Sequence, residues 1–203
     1  MDLGYEGATA VVTGGSKGMG RATADLLAAV AVFARRSEFL DETVEALKEA
    51  GAPDAVGLSV DVTKRDDVER AYAELTERWG RLNVLVNTVG PGAGKLEDLD
   101  DKGWEQAFAL GTMAAVHNVR AALPLLRAAE WARVVNFAAH SIQRQSPMLV
   151  AYTASKAAVT SISKNLAKSL APDGILVNTV SPGSSVTASF TEQLAPFFEA
   201  DGL

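Results

Sequence analysis

Apolar residues in this chain come in short bursts, separated by longer stretches in which they recur every three or four positions. The bursts are ATAVV (8–12), VAVFA (30–34), AVGLSV (55–60), VLVN (84–87), ARVVNF (132–137) and ILVNTV (175–180). They are short and rich in β-branched residues, which predicts six strands. Between the third and fourth, RDDVERAYAELTERWG (65–80) places Val68, Ala71, Tyr72, Leu75 and Trp79 on one helical face and ends on Gly80, a C-terminal cap. Amphipathic stretches of the same kind fill 37–50, 101–127 and 150–170. Nearly continuous apolar strands, each followed by a helix, predict a parallel sheet covered on both faces. Right-handed crossovers make that a doubly wound α/β fold. Neither repeat nor linker interrupts the alternation, so residues 1–203 are read as a single domain.

Composition narrows the function. Hydrophobic residues at 48% and charged residues at 22% are ordinary for a globular domain. A net charge of -6 disfavours nucleic acid, whose phosphate backbone needs a basic footprint. The chain has no cysteine and only His117 and His140 as imidazoles, so no disulfide and no metal site are expected. The apolar run Leu26 to Ala34 is far shorter than the roughly 18 residues of a membrane span, and MDLGYEGA lacks the features of a signal peptide. A cytoplasmic protein with neither membrane nor nucleic-acid partner is the expectation.

Ligands of parallel sheets lie outside the carboxyl ends of the strands, and there the first strand runs into TGGSKGMG (13–20). Gly14 permits a tight turn, Gly18 lets backbone approach a diphosphate, and Gly20 allows close packing of a helix whose N-terminus favours negative charge. Ser16 and Lys17 lie in the same loop. By itself the spacing is as consistent with a plain turn as with a phosphate cradle, and its place between strand and helix favours the cradle.

Taken with NTVG (87–90), the pair Tyr152–Lys156 and SPG (181–183), the TGxxxGxG spacing resembles the short-chain dehydrogenase/reductase family over residues 6–190. The resemblance implies a Rossmann fold with a nicotinamide cofactor across the strand ends, and hydride transfer to or from a small carbonyl or alcohol substrate. It implies cofactor contacts from Gly14, Ser16, Gly18, Gly20, Asn87, Gly90, Pro182, Gly183 and Thr187, with Tyr152 and Lys156 also touching the nicotinamide end. Asp61, with Val62 beside it, resembles the family's adenine-contacting acid, although an acid after a strand is also a common turn residue. The second strand ends in FARRSE, so Arg35 and Arg36, with Lys17, supply cations where the 2′-phosphate of NADP(H) would lie, in place of the acid that suits unphosphorylated ribose. NADP(H) is the cofactor expected.

Tyr152 and Lys156, four residues apart, share a helical face, so the ammonium can lower the phenol from its reference pKa near 10 and make it a general acid and base. The family's serine partner is displaced. Members usually carry N-x-S-S at the end of the fifth strand, and alignment on Asn136 puts Ala138 and Ala139 at those serines. Ser141 is the nearest substitute. Positions 139 and 141 are about 6.6 Å apart along a strand, so Ser141 serves catalysis if the chain bends and is otherwise a local loop serine. His140 reads as a loop imidazole. Further departures are Gly111 where the family has asparagine, and Thr88 and Val89 where asparagine and alanine are usual.

Two lengths also differ from the family. LLAAV passes straight into AVFARR, leaving no room for the usual connection, and the sequence stops at Leu203, without the usual C-terminal strand beyond ILVNTV. Either segments of the natural chain are omitted or association compensates. A homodimer or homotetramer through the helices 101–127 and 150–170 is expected by the resemblance. ASFTEQLAPFFEADGL (188–203) resembles the family's substrate lid, and its apolar residues suit an apolar or acyl-bearing substrate. Two functions stand open: an NADP(H)-dependent oxidoreductase, and a cofactor-binding protein with little turnover. The enzyme is favoured, because losing one polarising donor costs about 10²–10³ in rate and leaves most of an enzyme's acceleration in place.

Overall fold

The computed structural model describes residues 4–183, so Thr187 and the lid-like segment 188–203 lie outside the described residues. Six strands form one sheet: β1 (Thr9–Thr13), β2 (Ala29–Ala34), β3 (Ala55–Ser59), β4 (Val84–Asn87), β5 (Ala132–Phe137) and β6 (Ile175–Val180). The order is β3-β2-β1-β4-β5-β6 and every neighbouring pair is parallel. This is the doubly wound Rossmann arrangement, and its topological switch point falls between β1 and β4. Each predicted strand is present, with bounds that move by one residue at most.

Among the described residues six α-helices wrap the sheet: α1 (Gly18–Ala24), α2 (Glu38–Glu49), α3 (Arg65–Trp79), α4 (Asp101–Phe108), α5 (Ala114–Ala128) and α6 (Val150–Leu170). Alternation along β1 feeds two cores. Val11 joins Phe33, Leu75, Leu85 and Val134 beneath α3, α5 and α6, while Ala10 and Val12 join Val30, Val32, Leu40 and Leu47 beneath α1 and α2. Tyr72 meets Phe33 edge to face at 5.5 Å, and Gly80 closes α3 in the left-handed conformation, φ 65°. Cover on both faces, expected of every strand, is incomplete at the far edge. Buried positions alternate with partly exposed ones along β5 and β6, and Leu176 and Val180 of the edge strand are exposed. Arg133 and Asn178 are the polar residues at these alternate positions, and Val135, Phe137, Leu176 and Val180 are the apolar ones.

Two expectations about the helices change. The missing connection after α1 exists, because the helix ends early: α1 has seven residues, and Asp25 to Ala28 form the turn into β2. Shortening the helix instead of the loop leaves Leu26 exposed at the amino ends of the strands, far from the glycine loop. The single helix predicted over 101–127 is two, α4 and α5, joined by a π-helical turn at Ala109–Met113. Gly111, buried in that turn, is where the chain passes closest to α6: a Cβ there would overlap the Ser155 side chain and come within 3.2 Å of Pro91 Cδ. A bare backbone at this point allows the two elements to touch.

Candidate active site

The carboxyl ends of β1, β4 and β5 and the start of α6 converge on Lys156. Its side chain is 3% exposed, and Nζ donates to the carbonyls of Val89 at 2.8 Å and Phe137 at 2.7 Å. These carbonyls sit just past β4 and at the last residue of β5, so the sheet itself fixes the lysine. Tyr152, one turn earlier, is half-buried. Both meet at Gly90: a Cβ added there would lie 3.2 Å from Lys156 Nζ and 3.6 Å from Tyr152 Cε2. The sequence-predicted pair is thus brought together with the glycine of NTVG.

Electrostatics differ from the sequence expectation at the tyrosine. Burial raises Tyr152 above its ordinary value, where an ammonium one turn away was expected to lower it. Lys156 spends its donors on two carbonyls, and burial pulls it down to about 8. The neutral amine still has two hydrogens, enough for both bonds. Between about pH 8 and 10 the folded Lys156 has given up a proton that the unfolded chain retains, so its contribution to stability rises with pH over that window. Thermal unfolding at pH 7.5 and 9.5 should therefore show the wild type gaining on Lys156→Met as pH rises. A gap that stays constant would contradict the assignment.

At the end of β5 the chain bends as the Ser141 substitution requires. Ala139 is still extended, φ -157° and ψ 146°, and a 3-10 turn follows at His140–Ile142. Ala138 and Ala139 are both buried, His140 is exposed, and Ser141 is half-buried. Thr153 Oγ1, on the residue after Tyr152, donates to Ser141 Oγ at 2.8 Å, which leaves the hydrogen of Ser141 free to point elsewhere. The turn is tied to the end of β6, since His140 N donates to the Pro182 carbonyl at 3.0 Å and Ala138 N to that of Val180 at 2.8 Å. Pro182 and Gly183 so lie beside the turn that carries Ser141. A second loop joins them: Gly94 N donates to Met148 O at 2.8 Å, connecting the segment after β4 to the entrance of α6.

On the cofactor side, Gly14 takes φ 70° and its carbonyl stands against Gly20 so closely that a Cβ on Gly20 would overlap it. The altered Thr88 fits into this packing. Its hydroxyl donates to the Thr13 carbonyl and its N–H to Thr13 Oγ1, and it lies against both glycines. Ser16 is half-buried, while Lys17 and Gly18 are exposed at the start of α1. Lys17 Nζ lies 3.8 Å and Arg36 Cζ 5.7 Å from the centroid of the Phe39 ring. Arg35 is exposed, and its carbonyl accepts from Ser59 Oγ. Among the described residues none of these three cations is in an ion pair.

Asp61 makes local turn bonds after β3. Its Oδ1 accepts from the N–H and hydroxyl of Thr63 at 3.1 and 2.7 Å. Burial alone would raise this carboxyl, but the Thr63 bonds, helped by Lys64 and Arg35, outweigh it and hold the carboxyl below its usual range. Val62 is buried next to it, and His117 Nδ1 approaches its carbonyl at 3.3 Å. Asn87, expected to contact the cofactor, is buried at the end of β4. Its Nδ2 donates to Asn136 Oδ1, whose own amide donates to Ser163. Among the described residues Asn87 Oδ1 has no hydrogen-bond partner, and it is buried beside a small pocket lined by Thr13, Gly111, Asn136 and Lys156.

Phe39, Thr153 and Ser155 were not singled out from the sequence. Phe39 lies three residues after Arg36, and Thr153 directly follows Tyr152, so helical spacing from known candidates was the available signal.

Comparison with known proteins follows the same lines. The family model described as short chain dehydrogenase matches residues 8–196. An uncharacterized oxidoreductase, YvrD, of Bacillus subtilis is 31% identical, covering 98% of this chain and 75% of its own. An actinorhodin polyketide ketoreductase variant crystallised with NADPH superimposes with a TM-score of 0.89 at 31% identity, covering 95% of this chain and 76% of that one. A xylitol dehydrogenase crystallised with NAD+ has a TM-score of 0.82 at 25% identity, covering 88% and 71%. With this fold, this glycine loop and a buried lysine beside a tyrosine at the strand ends, the chain belongs to the short chain dehydrogenase family of oxidoreductases.

Proposed function

We propose that the protein is an NADP(H)-dependent oxidoreductase acting on a small carbonyl or alcohol substrate. The observation that carries this reading is the meeting of half-buried Tyr152 and buried Lys156 at Gly90, at the carboxyl ends of the strands, where a side chain would press on both. The residues fit a dinucleotide: Gly14 and Gly18 give the loop after β1 its positive-φ turns, and Lys17, Arg35 and Arg36 stand near it in no ion pair among the described residues. Bound there, the nicotinamide supplies the hydride for the carbonyl carbon, or accepts it in the reverse direction.

The chain's own residues handle the proton. Because burial keeps Tyr152 protonated, it can give its hydroxyl proton to the substrate oxygen as negative charge develops there. Lys156, when protonated, stabilises the phenolate left behind, and its carbonyl partners keep it from turning away. Ser141, whose hydroxyl is held by Thr153 with its hydrogen unspent, is the donor for the same oxygen. Asp61 and Val62 lie on the adenine side of this reading, and Pro182, Gly183 and Thr187 on the nicotinamide side. A homodimer or homotetramer and a cytoplasmic setting belong to it as well. Exposed Phe108, just before the π-turn, and Met113, its last residue, supply apolar surface for such an association, which light scattering would decide.

Binding of the two nicotinamides tests the cofactor assignment. NADPH should bind at least about tenfold tighter than NADH, since a phosphate dianion gains charge-assisted bonds from arginine. Arg35→Ala should remove most of that preference. Equal dissociation constants in the unmodified protein would refute it. The rival reading, a cofactor-binding protein with little turnover, predicts the same affinities and no oxidation of NADPH with any aldehyde or ketone.

A further inference from the structure

Two of the three cations assigned to the ribose phosphate share one aromatic ring. Lys17 comes from the glycine loop and Arg36 from the end of β2, 19 positions apart in sequence. They are nonetheless gathered at Phe39 on the first turn of α2, at 3.8 and 5.7 Å from the ring centroid. Both distances fall within the reach of about 6 Å over which the negative face of an aromatic ring attracts a cation. We infer that Phe39 is the specificity-determining residue that preorganises Lys17 and Arg36 for the 2′-phosphate of NADP(H). This rests on the proposed preference for that cofactor.

Two like charges at one place repel each other, and neither Lys17 nor Arg36 is in an ion pair among the described residues. Glu38 and Asp41 in the first turn of α2 add negative charge next to the same loop. If the two cations scattered into solvent, a phosphate arriving there would meet those acids first. The ring offsets the repulsion without an anion, so the positive charge is held in place and remains unneutralised. Lys17 on its flexible stem would otherwise lose much rotamer freedom on fixing a phosphate, and contact with the ring removes part of that loss beforehand. NADH has no phosphate at this position, so the gain is confined to NADPH.

Titration of the full chain with NADPH and with NADH, followed by nicotinamide fluorescence, tests this in wild type, Phe39→Leu and Phe39→Trp. Leucine keeps the apolar bulk and removes the ring face. Phe39→Leu should weaken NADPH about fivefold to tenfold and leave NADH within about twofold, while Phe39→Trp retains wild-type selectivity. If wild type prefers NADPH and Phe39→Leu keeps that preference undiminished, the role of Phe39 is refuted and the cofactor assignment stands. Equal weakening of both cofactors would reduce Phe39 to a packing residue and likewise overturn the inference. No preference in wild type would overturn the cofactor assignment and this inference with it.

Discussion

Tyr152→Phe should lower kcat by about 10³-fold, within the range of 10²–10⁴ typical for a positioned proton donor, and leave the dissociation constant for NADPH within about twofold. The ring and its packing against Gly90 remain in the variant, so cofactor binding and fold are preserved and the loss falls on the proton. The effect should appear equally in kcat and kcat/KM, because the hydroxyl matters most as charge develops on the substrate oxygen. Burial holds Tyr152 above the ordinary phenol value, so carbonyl reduction with wild type should proceed without loss across neutral pH, where the donor is fully protonated. Steady-state rates with one aldehyde and NADPH measure all of this. A Tyr152→Phe protein reducing that aldehyde at the wild-type rate would remove Tyr152 from the chemistry.

Much of this architecture was legible in the chain because the signals are local. Six β-branched bursts gave six strands, and Val68, Ala71, Tyr72 and Leu75 at helical spacing gave the buried face of α3. The glycine spacing after β1 placed a tight loop between strand and helix, since glycine readily takes the positive φ that Gly14 adopts. What stayed hidden depends on distant neighbours. No periodicity in AFALGTMAAV announces a π-turn, and the close approach of Ser155 on another helix to Gly111 is visible only in the fold. The connection after α1 was misjudged for a related reason: the apolar LLAA reads as more helix, whereas the short distance to β2 forces the chain to leave the helix at Asp25. The shift of Tyr152 runs opposite to the expectation, because helical spacing shows that Lys156 is near but not that the fold buries the phenol. Phe39 is the same kind of case. Its position on α2 is plain from sequence, and its contact with Lys17 requires the β1–β2 pairing that brings the two loops together.

The displaced serine gives the sharpest separation between two designs of the same site. Ala139 is buried and extended at the position the resemblance assigns to serine, and the chain turns immediately after it. If that turn delivers Ser141 to the substrate oxygen, Ser141→Ala should cost about 10²-fold in kcat with NADPH affinity unchanged, as for removal of one preorganised donor. The loss is smaller than for Tyr152→Phe, because a donor that polarises the oxygen is removed and the proton source remains. Ala139→Ser would then add little, and in the double variant Ser141→Ala, Ala139→Ser it would recover part of the rate, since the older position again offers a hydroxyl. If instead Ser141 only anchors the turn through Thr153, Ser141→Ala should leave kcat where it was, and Ala139→Ser alone should raise it by supplying a donor the site never had. Thermal unfolding of each variant keeps the comparison fair, because losing one hydroxyl–hydroxyl bond costs only about 1 kcal/mol. The bend after Ala139 and the free hydrogen of Ser141 favour the first outcome, and an undiminished kcat in Ser141→Ala would refute it.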